Sequence, residues 1–250
     1  MKIKLLVATL MSTGVFFGFG QVTSAALPAA QYDTSVNVHF IENDEIVEPV
    51  DPTNPGGDPV TPGEDPLDPD PIEPGTPGPL SIDYASHLNF GEVKKSGNEA
   101  TYYAKPVTIT FTDTEGVQQT GKRAPWVQVT DSRGTKTGWT LQVKQEAQLT
   151  HETGSQLNGA VIQLGKGIVN SASSIDGVQS FAISFQNFNA LYDVMGAQDG
   201  SGAGTFVNMF GALENDEAKD VTLTVPQDLK IEDGKYSTHL TWVLTDAPGL

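Results

Sequence analysis

Four histidines, a glycine-rich run and a few separated carboxylates are the groups in this 250-residue chain that could do chemistry. His39, His87, His151 and His239 show neither a helix-spaced pair nor a zinc signature. There is no cysteine, which removes disulfides and thiolate metal sites together. Gly196-Ala197-Gln198-Asp199-Gly200-Ser201-Gly202-Ala203-Gly204 lacks the Gly-Lys-Ser/Thr ending and the strand-to-helix frame of a phosphate loop, so it reads as a flexible loop. Ser24 and Ser171 lie outside any Gly-x-Ser-x-Gly elbow. Glu146, Glu152 and Asp193 are the carboxylates that could serve as a glycosidase acid and base, but sequence gives no separation between them. No Asp/Asn run reaches the EF-hand spacing. The expectation is a protein with no catalytic residue, no metal site and no cofactor.

Binding chemistry has better candidates. Between Gly116 and Gln145 the charged residues are Lys122, Arg123, Asp131, Arg133, Lys136 and Lys144, five basic against one acidic, around Trp126. One reading is a basic rim with an aromatic platform, suited to stacking on sugar faces and pairing with carboxylates or phosphates. The other is a hairpin whose solvated face carries ordinary charges. The remaining two of the three tryptophans stand in Trp139-Thr140-Leu141 and Trp242-Val243-Leu244, each beside a threonine (Thr140, Thr241). Side chains alternate along a strand with period two. Trp139, Leu141 and Val143 therefore share one face, and Tyr236, Thr238, Leu240, Trp242 and Leu244 share another, with His239 and Thr241 opposite. On a strand face such a couple can be core or ligand platform. Burying Trp242 and Leu244 would anchor the last strand, at roughly 1.5–3 kcal/mol per large apolar side chain.

The pair of motifs resembles the WxL domain of secreted proteins from low-GC Gram-positive bacteria. That family's distal motif, Tyr-x-x-x-hydrophobic-Thr-Trp-x-Leu-x-x-x-Pro, is matched by Tyr236, Leu240, Thr241, Trp242, Leu244 and Pro248, and its proximal motif by Trp139 and Leu141. Similar flanking stretches include Leu88-Asn89-Phe90-Gly91, Thr101-Tyr102-Tyr103-Ala104, Val127-Gln128-Val129-Thr130-Asp131 and Leu157-Asn158-Gly159-Ala160. The likeness covers roughly residues 80 to 250. It implies non-covalent attachment to the cell wall with peptidoglycan as ligand. It also implies, as partners, other WxL proteins and membrane-anchored WxL-interacting proteins. A docking module that touches the wall only through such an anchor, and a secreted polysaccharide hydrolase, are the competing classes.

The elements that must position these residues are strands. Val107, Ile109 and Phe111 alternate with threonines 108, 110 and 112. Val127 and Val129, then Phe181, Ile183 and Phe185, then Val221, Leu223 and Val225 repeat the pattern. Asp113-Thr114-Glu115-Gly116, Asp131-Ser132-Arg133-Gly134, Asn158-Gly159, Asp176-Gly177 and Asp233-Gly234 separate them as turns. Only Asn189 to Met195 offers helical spacing, for two turns at most. The fold class is all-β, an antiparallel sandwich or barrel-like domain. Val127–Val129 and Trp139–Val143 are expected to pair as a hairpin.

Upstream, Met1-Lys2-Ile3-Lys4, the apolar run Leu5 to Phe19 and the small residues through Ala26 predict a signal peptide over 1–26. Nothing else approaches a membrane span, and no Leu-Pro-x-Thr-Gly motif or hydrophobic tail follows. Residues 27–42 hold one short alternating run, Val36, Val38 and Phe40. Over 43–79 the composition shifts: eleven of the sixteen prolines lie between Pro49 and Pro79, with Asp and Glu between them. That predicts a disordered, polyproline-like Pro/Asp-rich linker ahead of the domain at 80–250. The linker either spaces the domain from a partner or returns Val36–Phe40 to it as an edge strand. The formal charge is −17, but from Leu80 onward 12 basic residues meet 19 acidic ones. Without a basic footprint, nucleic acid is excluded as a partner.

Overall fold

In the computed structural model, which describes residues 30, 32–63 and 71–249, every regular element is a strand and every pairing is antiparallel. The predicted signal peptide and residues 64–70 lie outside the described residues.

Two four-stranded sheets carry most of the core. The first runs β10 (Ile168–Ser171), β14 (Gly204–Met209), β6 (Trp126–Asp131) and β2 (Leu80–Ala85). The second runs β11 (Val178–Ser180), β13 (Tyr192–Ala197), β7 (Trp139–Gln145) and β18 (Leu240–Thr245). Val127, Val129 and Phe206 of the first share one hydrophobic cluster with Trp139, Leu141, Val143 and Met195 of the second. That cluster continues into a third sheet, β12 (Ile183–Ser184), β9 (Val161–Leu164), β16 (Glu217–Val225) and β15 (Leu213–Glu214), with β3 (Ala100–Ala104) also on β16. A three-stranded sheet, β1 (Thr61–Pro62), β4 (Val107–Thr112) and β5 (Gln118–Arg123), contributes Ile109 to a second cluster with Val60, Tyr84, Trp126 and Val207. Strand β6 supplies both clusters, Val127 and Val129 to one and Trp126 to the other. This is why all six of its residues are buried. The pair β8 (Thr150–His151) and β17 (Tyr236–Ser237) completes the set.

The turn signals hold: Gly116, Gly134, Gly159, Gly177 and Gly234 all have positive φ, where a glycine avoids the Cβ clash. Several expectations are corrected. Strands β6 and β7 are neighbours in sequence but not in the ladder. Each lies between other strands, because inward residues on both favour two facing sheets over one hairpin. The stretch with helical spacing becomes β13, whose bulge between Asp193 and Met195 lets Val194 and Met195 both turn inward. Of the Phe181–Phe185 alternation only Ile183–Ser184 is strand. The Phe181 amide bonds to Val194 and the Phe185 amide to Ile162, so the segment crosses from one sheet to the other. The terminal strand is broken at Thr238–His239 into β17 and β18.

Residues 41–250 form one unit and 1–40 another. In the latter, Val36–Phe40 forms no strand and its apolar side chains are exposed, Val36 at 94 %. A run of five with no ladder partner cannot hold itself extended. The strand added to the domain comes from inside the proline-rich stretch, at Thr61–Pro62 on Thr110 and Ile109. Nor is that stretch unpacked throughout. Val60 is buried, the Val60 amide donates to Pro49 O, and Val50 bridges to Pro59. The Val50 amide donates to Gln128 Oε1 (2.8 Å), and Arg123 Nε donates to Asp51 Oδ1 (2.7 Å). Proline's missing donor is tolerated here because the strap lies at a sheet edge.

Candidate functional site

The two Trp-x-Leu couples meet on adjacent strands. In the β7–β18 ladder Leu244 faces Leu141 and Trp242 faces Val143. Directly opposed residues share a sheet face, so both couples point the same way. Strand β7 is interior and its Trp139, Leu141 and Val143 are completely buried. Strand β18 is an edge, and its Trp242 and Leu244 are half-buried. The Trp242 ring lies 6.4 Å from Phe210, and Trp139 lies 5.8 Å from Phe206. The couples are thus core-forming, the second less completely than the first.

The glycine-rich run is a fitted cover over Trp139. Its Nε1 donates to Gly202 O at 2.9 Å. A Cβ on Gly202 (φ +84°) would stand 2.6 Å from that nitrogen and collide with the Ala197 methyl. The chain after β18 closes the same end of the sheet. Thr140 Oγ1 donates to Ala247 O (2.8 Å), and the Gly249 amide donates to Ala197 O (3.1 Å). Pro248, exposed, directs the backbone of Gly249 across Gly196, an approach that leaves no room for a side chain on either glycine.

Arg133 clamps this end. It bonds both oxygens of the buried Asp131 (3.0 and 2.8 Å), the Gly138 carbonyl (2.9 Å) and Asp246 just past β18. The Asp131 bonds, with help from Asp246, hold the Arg133 pKa above its ordinary value, and Arg133 holds the Asp246 carboxyl below its own. One side chain therefore ties the start of the first motif to the end of the second. The proposed basic rim is not one surface. Arg133 is consumed in this clamp, Arg123 in the Asp51 pair, and Lys122 pairs with Asp216 at 3.0 Å. Lys136 is exposed with a positive φ of 55°. Trp126 is wholly buried, 4.5 Å from the Tyr84 ring, and cannot stack on a ligand.

At the far end of the sheet, Thr241 Oγ1 donates to Glu146 Oε1 at 2.7 Å, coupling the distal motif to the residue after β7. The Tyr236 hydroxyl accepts from the Glu232 amide (2.9 Å), and its ring packs 5.0 Å from His151. Of the other carboxylates weighed as acid and base, Asp193 accepts from Gln142 and Glu152 is exposed. Among the described residues no three His, Asp or Glu side chains gather as metal ligands. Sequence reasoning missed the Gly202 cover, the Arg133 clamp and the Asp51 strap. Only the density of glycines between two strands signalled the first.

A family model described as "WxL domain surface cell wall-binding" matches residues 28–248, nearly the whole chain. No curated protein and no solved structure matches.

Proposed function

The chain belongs to the WxL family of surface cell-wall-binding domains, and from that premise we propose that it is exported by its N-terminal signal and held non-covalently on peptidoglycan by the domain at 80–250. It is a surface protein that binds the cell wall, from a family of wall binders rather than of enzymes. No helix among the described residues is long and apolar enough to cross a membrane. The observation that carries the reading is the register of the two motifs, Leu244 on Leu141 and Trp242 on Val143, which makes them one structural feature. Bare, protein-free sacculi should retain the full mature chain in a sedimentation assay. Recovery of all of it in the supernatant would refute the wall contact.

A second reading is favoured by the edge position of β18. An edge strand presents unpaired backbone donors and acceptors to any added strand. The distal motif would then dock onto another WxL protein or a membrane-anchored WxL-interacting protein, within a surface complex. Retention by sacculi only when such an anchor is supplied selects this reading.

A further inference from the structure

Beside the Thr241–Glu146 bond lies an open cleft of about 610 Å3 between the end of β7, the turn before β9 and the loop after β12. That volume falls within the roughly 300–1,000 Å3 range of small-ligand sites. Its lining combines small apolar residues and Phe185 with the amides Gln156, Asn158, Gln186 and Asn189, the ring of Phe188 and one carboxylate, Glu146.

The loop that carries Phe188 is held in place before any ligand arrives. The Tyr192 hydroxyl accepts from the Gln186 amide (3.2 Å) and the Asn187 amide (3.1 Å). The Asn189 amide donates to Gln145 O (2.8 Å), its Nδ2 donates to Glu146 O (3.2 Å), and its φ is +58°. Phe185 is buried beneath, 5.6 Å from the Tyr192 ring. Phe188 is left 46 % exposed on this rigid frame, although burying it would have been favourable. Asn158 is also exposed.

The chemistry is selective. No lysine or arginine lines the cleft, so nothing there neutralises a phosphate or carboxylate, and Glu146 repels one. Side-chain amides both donate and accept, which suits neighbouring hydroxyl and acetamido groups. An aromatic face suits the apolar C–H face of a sugar ring. Resting on the wall-binding reading above, we infer that this cleft takes neutral, N-acetylated sugar rings of the wall's glycan strands. Glu146 joins it to Thr241, so an occupied cleft is tied directly to the distal Trp-x-Leu strand.

The test uses the full mature chain, bare sacculi, chitotetraose as glycan probe and the free stem pentapeptide as its competitor class. Phe188→Ala, and separately Gln156→Ala with Asn158→Ala, alter only exposed side chains and should leave the melting temperature unchanged. Each should weaken both sacculus retention and calorimetric binding of chitotetraose about tenfold, the scale of one lost stacking contact. If sacculi retain wild type and variants equally, the cleft is not the contact while the wall reading survives. Binding of the pentapeptide in place of chitotetraose overturns the sugar assignment. Failure of sacculi to retain the wild-type chain overturns the wall reading and this inference with it.

Discussion

At Trp139 the indole packs near the Phe206 ring, and its Nε1 donates to the backbone carbonyl of Gly202. Gly202 is the residue on which that fit depends, because its φ is left-handed and its Cβ position is already occupied. Gly202→Ala should cost about 2–4 kcal/mol, combining backbone strain with overpacking. Wall binding should fall only in step with the unfolded fraction. A melting curve recorded beside the sedimentation assay checks this, and loss of retention at full stability would instead make the cover a contact surface. The same control applies to any substitution of Trp139 or Trp242, since both belong to or pack against the main cluster.

At the scale of elements, the Pro49–Pro62 strap rests on acids of opposite behaviour. Burial acts to raise the Asp51 pKa, but hydrogen bonds from Arg123 and Thr53 and the charge of Arg123 outweigh it. The carboxyl is held below its ordinary 3.8. Beneath the strap, burial lifts Asp83 above 3.8 despite hydrogen bonds from Ser81, Thr130 and Gln128. A lowered carboxyl stabilises above its unfolded pKa and loses that contribution as pH falls through the folded value. A raised one contributes below the unfolded value and loses it as pH rises through the folded one. On acidification Asp83 is therefore relieved first, and Asp51 releases the strap only below 3.8. Hydrogen exchange should find the Val50 and Val60 amides protected at neutral pH and still protected at 3.8, losing protection only in stronger acid as pH falls through the lowered Asp51 value. Protection lost already above 3.8, or an Asp51→Asn strap as protected as wild type at neutral pH, would contradict this account.

Residues 41–250 form one compact unit, and within it the Pro49–Pro62 strap packs against the sheets through Val60 and Thr61–Pro62. A chain beginning at Ile41 should melt with the full chain. One beginning at Leu80 loses β1, the buried Val60 and the Asp51 partner of Arg123, at about 2–4 kcal/mol and hence roughly 5–15 °C of melting temperature. Equal melting of all three would return 43–79 to the role of simple spacer. Composition leaves the packing of Pro49–Pro62 unread, because proline content reports on lost donors and stiffness. It does not report whether an adjoining sheet edge needs a donor.

The amino-acid sequence by itself determined the all-β class, the turns and the pair of Trp-x-Leu motifs. All of these follow from local conformational preference and period-two alternation, which act over a few residues. Tertiary structure alone decided that β6 and β7 join different sheets and that Trp126 is interior. It also decided that Gly202 seats Trp139, Arg133 bridges Asp131 to Asp246, and Glu146 meets Thr241. Each of those contacts joins residues far apart along the chain. Which distant strands pair is settled by how two buried faces can be covered at once, and no window of sequence contains that.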